Sequence, residues 1–324
     1  MINHRCAVLG KPIAHSLSPV LHNAAYASLG LHDWAYGRHE VGEDDLDGFL
    51  KNLDPTWAGL SLTMPLKRTI QPYGRPTNLW ARELKVANTA IFDWSHPVDD
   101  PQWAHGRPEI RLFNTDVIGI QLAFDHANRE LGLHHRPDRA GTALIIGNGN
   151  TATSAVAACC MMQEIGHITV ASRHPGKNAA LRPLASKYLT GHAPYEEIDM
   201  ADDRRLTATA QGATYVINTI PGHAADGIAS MLDETMHAAS DSGLLLDVVY
   251  DPRPTRLMNA WRDHGGHAIG GEEMLLYQAL IQVLLMTGIW DNDPPSDADN
   301  RIQDTTTEDD QLEIAMRNAL EEAL

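Results

Sequence analysis

The residues best suited to chemistry in the first third of the chain lie in Ser61-x-Thr63-x-Pro65-x-Lys67. Leu60, Leu62 and Met64 alternate with Ser61 and Thr63, as on a strand with one polar face. Pro65 ends that strand and leaves Thr63 and Lys67 near its C-terminal edge, where ligands of open α/β sheets collect. A solvated surface lysine is the ordinary alternative. Upstream, Ser16 and Ser18 precede Pro19 at the start of an apolar helical face formed by Leu21, Ala24, Ala25 and Leu29. Ser18 can serve as N-cap with Pro19 at the first helical position, which leaves Ser16 without a structural task. The pair is therefore either a helix start or two hydroxyls that bind a small carboxylate. His15 and His22 read as structural histidines.

A second constellation is Gly147-x-Gly149-x-x-Ala152. The apolar run 143–146 is short enough for a buried strand, and 151–162 reads as a helix. Strand, glycine turn and helix are the context of a dinucleotide fingerprint. Gly147 permits the turn, Gly149 lets backbone approach a pyrophosphate, and small Ala152 lets helix pack on strand. Thr151 opens the helix, whose N-terminus offers free N–H groups and partial positive charge to phosphate. A plain structural turn is the competing reading. Residues 168–173 form the next strand. A site preferring NAD places an acid at its end, but Ser172-Arg173 stands there, with Lys177 four residues on. Those groups suit a 2′-phosphate, so NADP is favoured.

The elements that must position these groups read as follows. Strands are expected at 5–9 and 34–41, a helix at 44–53, and apolar segments at 83–84, 86–92 and 112–117. Asn88-Thr89 and Asn114-Thr115 punctuate two of these. Residues 93–111, rich in Pro, Trp and charge, read as a surface hairpin or excursion. Asp116 and Gly119 sit where the first βα region gives way to a helix over 117–131, and 136–141 is a polar hinge into the glycine turn. Strands at 215–221 and 244–250 follow, 265–271 is a turn, and 274–288 is an apolar helix.

The whole chain sets further bounds. Its 324 residues suffice for two domains, and 43% hydrophobic with 21% charged residues is ordinary globular composition. A formal charge of −17 argues against nucleic acid as partner. Residues 291–324 carry eleven acids and two bases, so the acidity is concentrated at the C-terminus. Cys6, Cys159 and Cys160 have no metal spacing and are too few for a disulfide framework, which suits a reducing cytoplasm. No signal peptide opens the chain. The apolar stretch 274–290 is short for a membrane span and contains Gln278 and Gln282. It reads as a core helix.

Taken together, these segments resemble the shikimate dehydrogenase family from about Cys6 to Trp290. The motifs that carry the resemblance are Gly10-x-Pro12-x-x-His15-Ser16-x-Ser18-Pro19, Ser61-x-Thr63-x-Pro65-x-Lys67, Ala87-Asn88-Thr89, Asn114-Thr115-Asp116, the glycine turn, and Gly271-x-x-Met274-Leu275-x-x-Gln278-Ala279. All six occur in the family's order. The resemblance implies an α/β fold in two domains: an N-terminal substrate domain, and a Rossmann-like NADP domain across a cleft, with a C-terminal helix returning to the substrate domain. The corresponding boundaries are 1–113 completed by 270–292, then 114–269, then an acidic tail, 293–324.

It also implies NADPH-dependent reduction of 3-dehydroshikimate to shikimate in aromatic biosynthesis. Ser16 and Ser18 would hold the substrate carboxylate, and Thr63, Asn88, Tyr250 and Gln278 would contact ring hydroxyls or carboxylate. Lys67 and Asp116 would be the polar pair at the reacting carbon. Gly147, Gly149, Asn150, Thr151, Ala152, Ser172, Arg173, Lys177 and Gly271 would serve the coenzyme, and no metal is expected. The chain departs from the family pattern at Asn150, Ser61, 171–174 and 218–221. A quinate/shikimate dehydrogenase using NAD is the nearest alternative, and a ligand-binding sensor without turnover is another. The expected partner is a small molecule, with no membrane and a monomer or homodimer. The tail reads as disordered acid followed by a frayed helix, whose apolar spacing at Leu312, Ile314, Ala315, Ala319 and Leu320 suits docking onto its own or a partner surface.

Overall fold

β1 (His4–Gly10) passes from two exposed residues into five buried ones, the pattern of a central strand covered on both faces. A computed structural model describes residues 1–133, 140–189, 195–235, 243–290 and 307–324. β2 (Trp34–Glu40) and β3 (Trp57–Leu62) flank β1 in parallel. β5 (Thr89–Val98) and β6 (Arg107–Phe113) continue the sheet from β3 as an antiparallel hairpin, and β4 (Arg75–Pro76) pairs with β6. The order is β2-β1-β3-β5-β6-β4. Of the hairpin or excursion expected at 93–111 the structure shows the hairpin, and its outer arm is exposed. α1 (Ser18–Ser28), α2 (Leu46–Lys51), α3 (Leu66–Thr69) and α4 (Leu79–Leu84) complete this part. Leu9, Leu46, Leu50, Leu60, Leu66 and Ile70 are fully buried in its core.

The second sheet holds β7 (Gly141–Ile146), β8 (Ile165–Ser172), β9 (Tyr195–Asp199), β10 (Tyr215–Asn218), β11 (Leu244–Asp247) and β12 (His267–Gly270). All its pairings are parallel, in the order β12-β11-β10-β7-β8-β9. Numbered within this sheet, that is the 3-2-1-4-5-6 winding of a Rossmann fold, whose switch point lies between β7 and β10. The helices here are α5 (Asp116–Leu131), α6 (Asn150–Met161), α7 (Leu181–Tyr188), α8 (Asp203–Gly212), α9 (Asp226–Thr235) and α10 (Arg256–Asp263). Leu144, Val216, Leu245 and Trp261 anchor its core.

Two compact units result, Met1–Thr115 with Gln278–Leu324, and Asp116–Tyr277. The division falls within α11 (Gly271–Met286), which starts three residues before the expected 274. α12 (Thr307–Ala323) ends the chain.

Several expectations are corrected. β3 stops at Leu62, so Thr63 and Met64 lie in the following turn and Met64 is 68% exposed. Residues 83–84 belong to α4, and 265–271 contains the edge strand β12 besides a turn. Neither β9 nor β12 was signalled, because one is mostly polar and the other only four residues long. The hinge expected at 136–141 lies outside the described residues as far as 139. α12 is no frayed helix: Leu312, Met316 and Leu320 are buried, and it packs on α1.

Candidate functional site

In the first unit, the loops after β1 and β3 lie side by side. The Thr63 amide donates to Leu9 O (2.9 Å) and the Lys11 amide to Met64 O (3.0 Å). A Cβ at Gly10 would stand 2.4 Å from the Thr63 methyl group, so only glycine permits this approach. Lys67 sits in α3, half-buried, and its carbonyl accepts the Ala87 amide (2.9 Å). That bond ties the lysine turn to the start of the Asn88-Thr89 segment.

Asn88 is the centre of a buried polar lattice. Its amide group donates to Thr115 Oγ1 (2.9 Å) and to Gln278 Oε1 (3.2 Å). Its Oδ1 accepts from the Thr115 amide (2.8 Å) and from Thr89 Oγ1 (3.0 Å). Gln282, one turn beyond Gln278 on α11, donates to Asn88 O (3.1 Å) and Thr89 Oγ1 (2.9 Å), and accepts from Ser61 Oγ (2.8 Å). Ser61 in turn accepts from the Tyr36 hydroxyl (2.6 Å). The predicted residues Asn88 and Gln278 are thus brought together. Ser61, expected on a polar strand face, is instead 4% exposed and serves as a link in the lattice. Such interiors persist only when every member is satisfied, and they then hold one arrangement.

Sequence reasoning passed over Tyr36 and Gln282. A glutamine four residues after Gln278 on an otherwise apolar helix was the available signal for the latter.

The start of α1 corrects the capping expectation. Leu17, not Ser18, is the N-cap residue and makes no side-chain cap; Ser18 is the first helical residue. Its amide reaches Ser16 Oγ at 3.4 Å. Leu17 already has near-helical dihedrals (φ −88°, ψ −2°), so the helix begins before Ser18 can turn its hydroxyl back onto later amides. Ser18 is 5% exposed. One turn on, His22 Nδ1 lies 2.9 Å from Ser18 O, and its ring stacks on Tyr36 with centroids 3.9 Å apart.

In the second unit, Gly147 ends β7 with φ +109°, and a Cβ there would come within 2.4 Å of Thr219 Oγ1. The chain must turn here against the segment after β10, at the switch point. Gly149 is the N-cap of α6, whose first turn no side chain caps, and a Cβ on Gly149 would meet nothing within 4 Å. Open backbone at a helix N-terminus is what a pyrophosphate requires. Asn150 is exposed, Thr151 half-buried and Ala152 wholly buried. Asn148 donates to Ser172 Oγ (3.1 Å) and His174 O (3.0 Å). Asn178 donates to Asn148 O (3.1 Å) and Thr153 Oγ1 (3.0 Å). These amides lock the loop carrying exposed Arg173 and Lys177 onto the glycine turn. Neither asparagine was singled out from sequence.

Asp116 is the first residue of α5 and 5% exposed. Tyr250 is half-buried, and burial, then the Asp251 charge, raises its pKa. It therefore keeps its proton as a donor at neutral pH. Asp247, at 1% exposure, takes Thr255 Oγ1 (2.7 Å) and the Asn218 amide (2.9 Å), tying the ends of β10 and β11 together. Burial nevertheless raises its pKa. Gly271 is required for packing, since a Cβ would lie 2.2 Å from Val248 O. Among the described residues no group of three His, Cys, Asp or Glu is placed to hold a metal ion, and no helix is long and apolar enough to cross a membrane.

Comparison with known proteins adds an independent line. A family model described as the shikimate dehydrogenase substrate binding domain matches residues 8–90. The shikimate dehydrogenase (NADP(+)) of Methanothrix thermoacetophila is 31% identical, over 87% of this chain and 91% of its own. The crystal structure of Mycobacterium tuberculosis shikimate dehydrogenase superposes with a TM-score of 0.74 at 32% identity, covering 98% of this chain and 99% of that one. The Thermus thermophilus enzyme, solved with NADP(H) and shikimate, shares the fold with a TM-score of 0.68 at 24% identity, covering 98% and 99%.

Proposed function

Since the chain belongs to the shikimate dehydrogenase family, we propose that it catalyses the reversible NADPH-dependent reduction of 3-dehydroshikimate to shikimate. The observation that best supports this reading is the buried lattice joining Asn88 to Gln278, 190 positions apart in sequence. The lattice holds these amides in one arrangement, and a small polyhydroxylated acid needs polar groups positioned in advance.

NADPH, when bound, supplies the hydride to the ring carbonyl carbon. The residues present suit it: the glycine turn leaves backbone open at Gly149, and Arg173 and Lys177 are exposed at the end of β8 for a 2′-phosphate. Ser172, 2% exposed, would act through Asn148. As the carbonyl becomes an alkoxide, negative charge grows on its oxygen. Lys67 stabilises that charge and delivers the proton, and Asp116 orients the substrate hydroxyl. Ser16 and Ser18 hold the carboxylate. Thr63, Asn88, Tyr250 and Gln278 take the remaining polar groups. The enzyme acts in the cytoplasm as a monomer or homodimer, without nucleic acid.

One steady-state assay tests the reading, with shikimate or quinate as substrate and NADP or NAD as coenzyme. Turnover of shikimate with NADP, faster than any other pair, is expected. Preference for quinate or NAD would replace it by the broader dehydrogenase activity, and no turnover by a sensor.

A further inference from the structure

α1 begins at Ser18, one of the two serines assigned to the substrate carboxylate, and the other, Ser16, stands two residues before it. Little that is local fixes that end of the helix: its N-cap residue makes no side-chain cap, and the Ser18 amide reaches Ser16 Oγ only at 3.4 Å. Its position is decided by what it packs against. One flank is tied to β2: Asn23 Nδ2 donates to Tyr36 O (3.0 Å), the Tyr36 amide donates back to Asn23 Oδ1 (3.0 Å), and His22 stacks on the Tyr36 ring. A helix held along one flank can still rock about it.

The second support comes from the far end of the chain. α12 packs on α1 and buries Leu312, Met316 and Leu320, at 2%, 0% and 2% exposure, in a stripe at four-residue spacing. Half-buried Ala315 and Ala319 lie beside the stripe, and small residues there allow the two helices a close approach. Glu313 and Arg317 pair on the same helix (3.0 Å), favouring its helical form. The lever is short but sufficient. Ser18 lies about 7.5 Å along the helix from the Asn23 tie, so a tilt of about 10° moves it by roughly 1.3 Å. That exceeds the tolerance of a hydrogen bond.

We propose that the C-terminal helix is a positioning element for substrate binding: by bracing α1 it holds Ser16 and Ser18 where they meet the substrate carboxylate. The inference rests on the shikimate reading of this site. Because the carboxylate is remote from the reacting carbonyl, loss of the brace weakens ground and transition states alike. It therefore raises KM for shikimate and leaves kcat unchanged. A merely structural helix would lower stability without that split.

The test uses the full chain with Met316→Asp, which places a charge at a fully buried position, and Met316→Leu as the conservative control. Wild-type turnover of shikimate with NADP is measured first, so that failure of the activity itself is seen separately. For Met316→Asp, trypsin should cut after Arg317, and KM for shikimate should rise about five-fold or more. Its kcat and KM for NADP should stay within two-fold of wild type. Met316→Leu should behave as wild type, and a synthetic peptide of residues 307–324 should restore KM in the Asp variant. Cleavage after Arg317 with an unmoved shikimate KM overturns the proposal. If the Asp variant does not fold, Leu320→Ala takes its place. It is expected to raise shikimate KM about two-fold, and an unchanged value would equally overturn the idea.

Discussion

His22 illustrates how burial turns a single side chain into a pH-dependent term. The ring is wholly buried, and desolvation lowers its pKa from 6.5 to about 4, opposed by the Ser18 carbonyl it faces. The unfolded chain therefore takes up a proton near pH 6.5, while the folded chain does so only near pH 4. Stability due to this group is present above pH 6.5 and is lost as pH falls toward 4. Denaturant titrations at pH 7.0 and 4.5 should show wild type losing roughly 2–3 kcal/mol more than His22→Leu; equal losses would remove His22 as the cause. Ser16→Ala should raise KM for shikimate by removing a charged hydrogen bond worth roughly 1.5–3 kcal/mol, with little change in melting temperature. Ser18 is not a cap, so Ser18→Ala should show a similar KM effect without the additional capping loss. Lys67→Ala should cut kcat by roughly 10²–10⁴-fold, the range of a general acid–base group, and move shikimate KM far less. Lys67→Arg keeps charge but not the compact titratable ammonium and should rescue little. Should kcat survive while KM climbs, Lys67 binds substrate and the proton comes from elsewhere.

Among the elements, the glycine turn between β7 and α6 is decided by contacts from elsewhere in the sheet. Gly147 must be glycine because Thr219, after β10, occupies the space of a side chain. Gly271 is constrained in the same way by the Val248 backbone. Gly271→Ala should therefore destabilise by about 1–3 kcal/mol, the usual cost of overpacking, as read by denaturant unfolding. If stability is kept and only NADP KM rises, Gly271 serves the coenzyme directly. The loop after β8 offers a second element-scale test. Arg173→Ala should weaken NADP more than NAD, since only NADP carries the 2′-phosphate, and an equal loss with both would falsify that assignment. Asn148 and Asn178 brace this loop through four hydrogen bonds, so its geometry belongs to the turn as much as to β8.

For the molecule as a whole, the acidic C-terminal region ends in a packed helix. Residues 291–306 lie outside the described residues, whereas α12 has an apolar stripe packed on α1. Ending the chain near Asn292 should therefore leave kcat within tenfold of wild type, while the melting temperature falls because apolar surface on α1 is uncovered. A tenfold fall in kcat at unchanged oligomeric state would assign the tail a part in turnover itself. All three cysteines are free, and burial pushes the Cys6 and Cys160 thiols up to about 12. Their thiolate forms, and hence their reactivity, are suppressed in the folded chain.

The glycine turn, the Ser172-Arg173 strand end, Lys67 after Pro65 and the apolar run of α11 were legible in the sequence, because each rests on local rules: backbone freedom, charge at a strand end, and hydrophobic periodicity. Six motifs in order carried the family. Tertiary structure alone decided that Ser61 is an interior link, that Asn88 meets Gln278 through a lattice including Gln282, and that Asp247 is buried between three strand and helix ends. Those pairings span up to 221 residues, and no local pattern encodes which of many buried amides will meet. The same holds for Met64, whose place in an alternating run suggested burial until the strand ended two residues early. The apolar spacing of α12 was visible from sequence, but its partner was not. An amphipathic stripe specifies that a helix must be covered, and only the packed chain shows that α1 covers it.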